Sequence, residues 1–221
     1  MRNLEFLILF STLISLASCS KDTLTPVGTQ GPNNTVISAT GRIWMDRNLG
    51  ASRVATSSTD TLAFGDLYQW GRLADGHQLR TSDTTTSLSS KDIPKNGLFI
   101  TVSNSFNDWR SPLNNSLWQG LNGTNNPCPS GFRLPTSSEL ETERKSWSSN
   151  NAAGAFASVL KLTVAGYRDI NGSVYDVSLG GSYWSSTVNG PLPIILNFFK
   201  SNAIMNSNYR ARGFCVRCIK E

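Results

Sequence analysis

The chain closes on Gly213-Phe214-Cys215-Val216-Arg217-Cys218-Ile219-Lys220 before a final glutamate, and the fold turns on how GFCVRCIK is read. Cys215 and Cys218 have the spacing of a CxxC redox or metal motif. Extended backbone opposes that reading. In a strand, Cα atoms three residues apart stand about 10 Å from each other. A disulfide needs less than about 7 Å, and the two side chains leave opposite faces. Phe214, Val216 and Cys218 share one face, expected to be the core face, while Cys215 and Arg217 share the other. The same geometry opposes zinc held by Cys128, Cys215, Cys218 and His77, which needs both C-terminal thiolates on one side. The expected bridge is therefore Cys128–Cys218, with Cys215 left over. It would close a loop of about 90 residues and contribute on the order of 4 kcal/mol in the chain-entropy model.

At the other end of that bridge stands CPSGFRLPTSSEL, residues 128–140. Pro127 to Gly131 read as a turn. Phe132 and Leu134 alternate with Arg133 as a short strand, which Pro135 ends. Thr136-Ser137-Ser138-Glu139 is a capping box, so a helix is expected from Ser137 to about Trp147. A second helical piece is expected near Ala152 to Leu160. Arg133 and Glu139 flank the helix start and read as structural polar groups.

Before this point, VISATGRIWMDRNLGA from Val36 alternates as a strand around Ile43 and Met45. In TLAFGDLYQWGR, residues 61–72, the spacing of Phe64, Leu67 and Tyr68 is helical, weakened by Gly65. Residues 73 to about 127 are long, polar and irregular, which implies function or short hidden elements. Beyond the helices, Asn171-Gly172 between two strand-like runs signals a hairpin. Strands follow at 182–188, 194–199 and 213–219. There is no internal repeat. The pattern is α+β, with small antiparallel sheets, two helices and long loops.

The 221 residues suit one domain with a tail. Charged residues make up 16%, and the net charge of +5 is scattered, which leaves no footprint for a nucleic acid partner. The chain opens MRNLEFLILFSTLISLASCSKD, with Arg2 ahead of an apolar run too short to span a bilayer comfortably. Leu16-Ala17-Ser18-Cys19 resembles the lipobox of bacterial lipoproteins. That resemblance implies cleavage after residue 18 and several acyl chains on Cys19, enough for stable membrane attachment. Ser20 after the cysteine implies the outer membrane. Ser20-Lys21-Asp22 resembles signals that send some Bacteroidetes lipoproteins to the cell surface. Residues 19–35 then read as the acylated cysteine and a flexible tether, leaving 36–221 as the domain.

GRIWMDRNLGA, GDLYQWGR, PCPSGFRLPTSSEL, AGYRD, GGSYWSST and GFCVRCIK, taken in order, resemble the Fibrobacter succinogenes major paralogous domain family. The resemblance spans residues 36 to 221. It implies a C-type-lectin-like fold in which the N- and C-terminal strands are adjacent and two helices flank a small sheet. It also implies that the position of Cys215 is ordinarily not a cysteine. The family has no defined biochemical role, so the resemblance implies fold and location more than activity.

Little in the chain marks catalysis. The single histidine, His77, reads as an exposed loop residue, and no G-x-S-x-G setting accompanies it. No cofactor or metal site is expected. Calcium-binding phrases of C-type lectins are absent, so any carbohydrate binding is expected to be calcium-free. The candidate ligand-binding residues are Asp108, Trp109 and Arg110, with Trp118, where indoles stand beside hydrogen-bonding groups. The plainer reading, which the length of the loop favours, is that Trp109 and Trp118 pin it to the core. The expected function is a non-catalytic binding or adhesion module for a glycan or surface protein. The alternatives are a structural subunit of a surface assembly, or a formylglycine-generating-like enzyme that uses Cys215.

Overall fold

The computed structural model describes residues 30–31, 34–102 and 107–221. The leader, the acylation candidate Cys19 and most of the tether lie outside the described residues. The strands in chain order are β1 (Gln30–Gly31), β2 (Thr35–Ile37), β3 (Ile43–Met45), β4 (Tyr68–Gln69), β5 (Thr84–Thr85), β6 (Phe99–Ile100) and β7 (Phe132–Arg133). Helices α1 (Ser137–Lys145) and α2 (Ala152–Ala157) follow. Then come β8 (Tyr167–Arg168), β9 (Val174–Tyr175), β10 (Gly181–Asn189), β11 (Leu192–Phe198), β12 (Ala203–Ser207), β13 (Gly213–Phe214) and β14 (Ile219–Lys220). The class is α+β. Three small antiparallel sheets run in the orders β1-β2-β3-β14-β7, β10-β11-β12 and β4-β13-β8-β9. A short parallel pair, β5-β6, lies in the long loop.

The C-terminal segment joins two of these sheets. Gly213 and Phe214 pair with β4 and β8, while Ile219 pairs with Trp44 of β3 and Arg133 of β7. The N- and C-terminal strands are thus neighbours. Between the two short strands the backbone stays hydrogen-bonded. Trp184 N–H donates to the Cys215 carbonyl at 3.0 Å, Leu49 N–H to Val216 at 2.9 Å and Met45 N–H to Cys218 at 3.0 Å.

Every residue from Gly213 to Ile219 is buried. Phe214, Val216 and Cys218 enter one core with Trp70, Trp109, Trp118, Trp184 and Ile195. Cys215 and Ile219 enter a second core with Trp44, Phe64, Tyr183, Leu196 and Phe198. The expected core face is correct, and the opposite face is a second core. Tyr183 and Trp184 divide in the same way, one ring to each core.

Arg217 is buried on the second face. Its Nε and Nη2 donate to Asn48 Oδ1 at 3.2 and 2.8 Å, and its Nη1 donates to the Leu160 carbonyl at 2.6 Å. The Asn48 amide nitrogen in turn donates to the Phe64 carbonyl at 3.0 Å and to the Tyr183 hydroxyl at 3.0 Å. The Cys128–Cys218 bridge forms as expected, with the Cα atoms 5.9 Å apart across a separation of 90 residues. It ties the start of the helical region to the last strand.

The capping box is complete, with Thr136 Oγ1 accepting the Glu139 N–H and the Glu139 carboxylate accepting the Thr136 N–H. Partial burial alone would raise the Glu139 carboxyl. The Arg133 guanidinium at 2.8 Å and the Thr136 N–H outweigh it and lower the carboxyl to about 2. Both residues are structural.

Four expectations need correction. Residues 61–72 form no α-helix. A 3-10 turn covers Thr61–Ala63, and Gly65 then adopts φ +68°, where an added Cβ would come within 2.5 Å of the Leu49 carbonyl oxygen. The tether is shorter than 19–35, because Gln30–Gly31 pairs with Thr35–Val36 and Thr35 belongs to β2. The strand β12 was not foreseen, since AIMNS carries little apolar alternation and is fixed by pairing with β11. His77 is buried rather than exposed.

Asn48→Ala should destabilise the protein by about 3–5 kcal/mol, the cost of stranding a buried charge. Arg217→Met should cost clearly less, because it removes the charge that needs Asn48. Urea unfolding of both variants checks the order. The pair Cys128→Ala/Cys218→Ala should lose about 4 kcal/mol in the same assay.

Candidate functional site

The loop residues singled out by sequence lie together, but inside the protein. Trp109 and Trp118 are 1% and 0% exposed. The Trp109 indole N–H donates to the Trp70 carbonyl at 2.7 Å, and the Trp118 ring lies 5.6 Å from that of Trp70. Asp108 accepts the Arg110 N–H at 3.1 Å and lies 3.7 Å from Arg210, whose guanidinium covers the Trp70 ring at 4.3 Å. Arg110 pairs with Asp92 at 2.8 Å and reaches the Pro112 carbonyl. Neither indole offers a face to a ligand in this arrangement. The four residues form a packed anchor, because a loop this long must pin itself by burying its own large side chains.

His77 anchors the same loop from its other end. Its Nε2 accepts the Gln69 N–H at 3.0 Å, and Nδ1 stands 2.6 Å from Asp75 Oδ1. The neutral Nδ1–H tautomer satisfies both contacts. A proton on Nε2 would face the Gln69 donor. Burial lowers the imidazole to about 4, and the Arg72 guanidinium also opposes its charge, against the pull of Asp75. Cys215 is equally sealed. Burial raises its thiol to about 11, and Sγ lies 3.6 Å from the Phe64 carbonyl oxygen.

The open polar site is elsewhere, where the β10-β11-β12 sheet meets the β8–β9 hairpin. The antiparallel register places Ser182 opposite Asn197 and Ile195 opposite Asn206, so these side chains share one sheet face. The other face carries Tyr183, Leu196 and Phe198 into the second core. Tyr167, Asp176 and Arg212 also line the cleft. The cleft encloses about 170 Å³. Arg212 donates to Asp169 at 2.7 Å and to Asn208 Oδ1 at 2.9 Å, and lies over the Tyr167 and Tyr209 rings at 5.4 and 5.5 Å.

Several polar groups in the cleft keep unused capacity. The Asp176 carboxylate and the Asn206 amide make no side-chain hydrogen bond with described residues. Asn197 donates to Ser182 Oγ at 2.9 Å and leaves its Oδ1 without a described donor. Sequence reading missed this site because its residues come from 167, 176, 197, 206, 208 and 212. Each is an ordinary surface polar group in its local context, and the strand β12 that supplies Asn206 was not foreseen.

Among the described residues, no group of three or more His, Cys, Asp or Glu side chains is gathered as a metal site would require. No helix of the described residues is long and apolar enough to cross a membrane. Comparison with protein-family models, curated proteins and solved structures found no match to this chain.

The His77 environment fixes a pH dependence. The folded state holds its pKa below the usual 6.5, so the stabilisation is complete above that value. It is lost as pH falls towards about 4, at a cost on the order of 3 kcal/mol. Chemical unfolding at pH 7.5 and 4.5 should show the fall. His77→Gln, which can still accept from Gln69 and donate to Asp75, should flatten that part of the profile.

Proposed function

We propose that this chain is a lipid-anchored outer-membrane protein that presents one binding domain at the cell surface, with a glycan as its ligand. The observation that carries the binding reading is the polar cleft between Asn206 and Arg212, with its unused hydrogen-bonding groups beside Tyr167. The anchor rests on Leu16-Ala17-Ser18-Cys19 and the apolar run before it. We assign the domain to the Fibrobacter succinogenes major paralogous domain family, with a C-type-lectin-like fold. In support are the motif order along the sequence, the pairing of β3 with β14, the two helices and the long irregular loop. A shared fold alone would not fix the function.

The burial of Cys215 weighs against the enzyme reading, since a thiol raised to about 11 is almost entirely protonated at neutral pH. A second reading, a subunit of a surface assembly, draws on the edge strand β9. Val174 and Tyr175 are exposed there, and Val177 and Leu179 continue the apolar surface.

Metabolic labelling with an alkyne fatty acid should tag the wild-type protein, and Cys19→Ser should abolish the tag. A glycan array probed with the full-length protein, with calcium and with EDTA, should give binding that EDTA does not remove. Binding lost in EDTA would assign the site to calcium. An array blank in both conditions would transfer the proposal to a protein partner.

A further inference from the structure

The free groups in the cleft define what it can hold. Asp176 offers acceptors, Asn206 offers both an acceptor and donors, and the Asn197 Oδ1 adds an acceptor. Just past the end of β12, the Asn208 oxygen is occupied by Arg212 and the Tyr209 N–H, while its amide nitrogen donates to no described group. Donors and acceptors therefore alternate over a small area. That suits vicinal hydroxyls, each of which gives one hydrogen bond and accepts others. Tyr167 also lines the cleft, with its ring held by Arg212, Tyr175 and Phe214.

Size and charge narrow the ligand further. A volume of about 170 Å³ lies below the range for drug-sized ligands and leaves room for one ring rather than a chain. The Arg212 charge is already met by Asp169 at 2.7 Å. Asp176 has no such partner among the described residues, so their charges leave the cleft with a negative surplus. An anionic sugar would bring its carboxylate towards Asp176, and like charges repel at that range.

We propose that the cleft binds a single terminal neutral hexopyranose, with vicinal hydroxyls on Asp176 and Asn206, and rejects anionic sugars. This rests on the binding-module reading and names the ligand class for its site.

Saturation-transfer NMR with the full-length protein tests it. The probes are the methyl glycosides of mannose, glucose and galactose, set against glucuronic acid and N-acetylneuraminic acid. At least one neutral glycoside should bind and both acids should not. Asp176→Asn should weaken the neutral ligand about tenfold, as expected for losing a hydrogen bond to a charged group, and should narrow the gap to the acids. Asn206→Ala should weaken it severalfold. Asn206 is exposed and Asp176 half-buried, and unchanged thermal unfolding would confirm that the variants fold.

If the acids bind as well as the neutral sugars, the proposal is overturned. If array glycans bind the wild type but both variants bind them equally well, the protein binds glycans at another site. This inference then fails while the function proposed above stands. If no glycan binds in any format, this inference fails together with the glycan ligand proposed above, and the binding reading passes to a protein partner.

Discussion

A buried guanidinium that has no carboxylate hydrogen-bond partner among the described residues is the constraint on which the rest of this protein depends. Arg217 hydrogen-bonds to Asn48 Oδ1 and to the carbonyls of Leu160 and Met45, all neutral acceptors. Burial lowers the pKa of the guanidinium, and an arginine side chain stays charged in proteins. The site must therefore supply acceptors with good geometry. Asn48 does so with its oxygen, while its nitrogen binds Ala63, Phe64, Thr163 and Tyr183. One amide thereby joins the early strands, the 61–64 turn, the chain after α2, the strand β10 and the C-terminal segment.

The same segment explains why two cores can exist side by side in so small a domain. A strand exposed on one face would leave one core. Residues 213–219 are covered on both faces, so alternate side chains serve different cores and the backbone forms the wall between them. The disulfide at Cys218 and the pairing of Ile219 with both β3 and β7 fix the end of that wall. The indoles of the long loop then fill the first core and are unavailable for recognition. Under the function proposed above, binding falls to the polar face of the β10-β11-β12 sheet.

Much of the scaffold was legible in the sequence because its signals are local. The capping box at Thr136 and Glu139, the Asn171-Gly172 turn and the strands around Tyr183 and Ile195 each follow from a few adjacent residues. The Cys128–Cys218 bridge followed from strand spacing together with the expected core face of Phe214, Val216 and Cys218. What failed depended on distant contacts. Phe64, Leu67 and Tyr68 have helical spacing, yet Gly65 must pass against Leu49 and breaks it. His77 looks like a loop residue until Asp75 and Gln69 are seen around it. Trp109 and Trp118, by contrast, follow the reading in which they pin the long loop to the core. The cleft was illegible for a related reason. Its residues share no periodicity and are assembled by the register of β10, β11 and β12.

Native-state hydrogen exchange at single-amide resolution tests the central constraint most directly. The amides of Met45, Leu49, Trp184 and Cys215 pair with the C-terminal segment or, for Cys215, lie within it. If that segment is the shared wall of both cores, these four amides should exchange only through global unfolding, with one common free energy and the slowest rates in the protein. Exchange of any of them by local opening, while the amides of α1 remain protected, would contradict it.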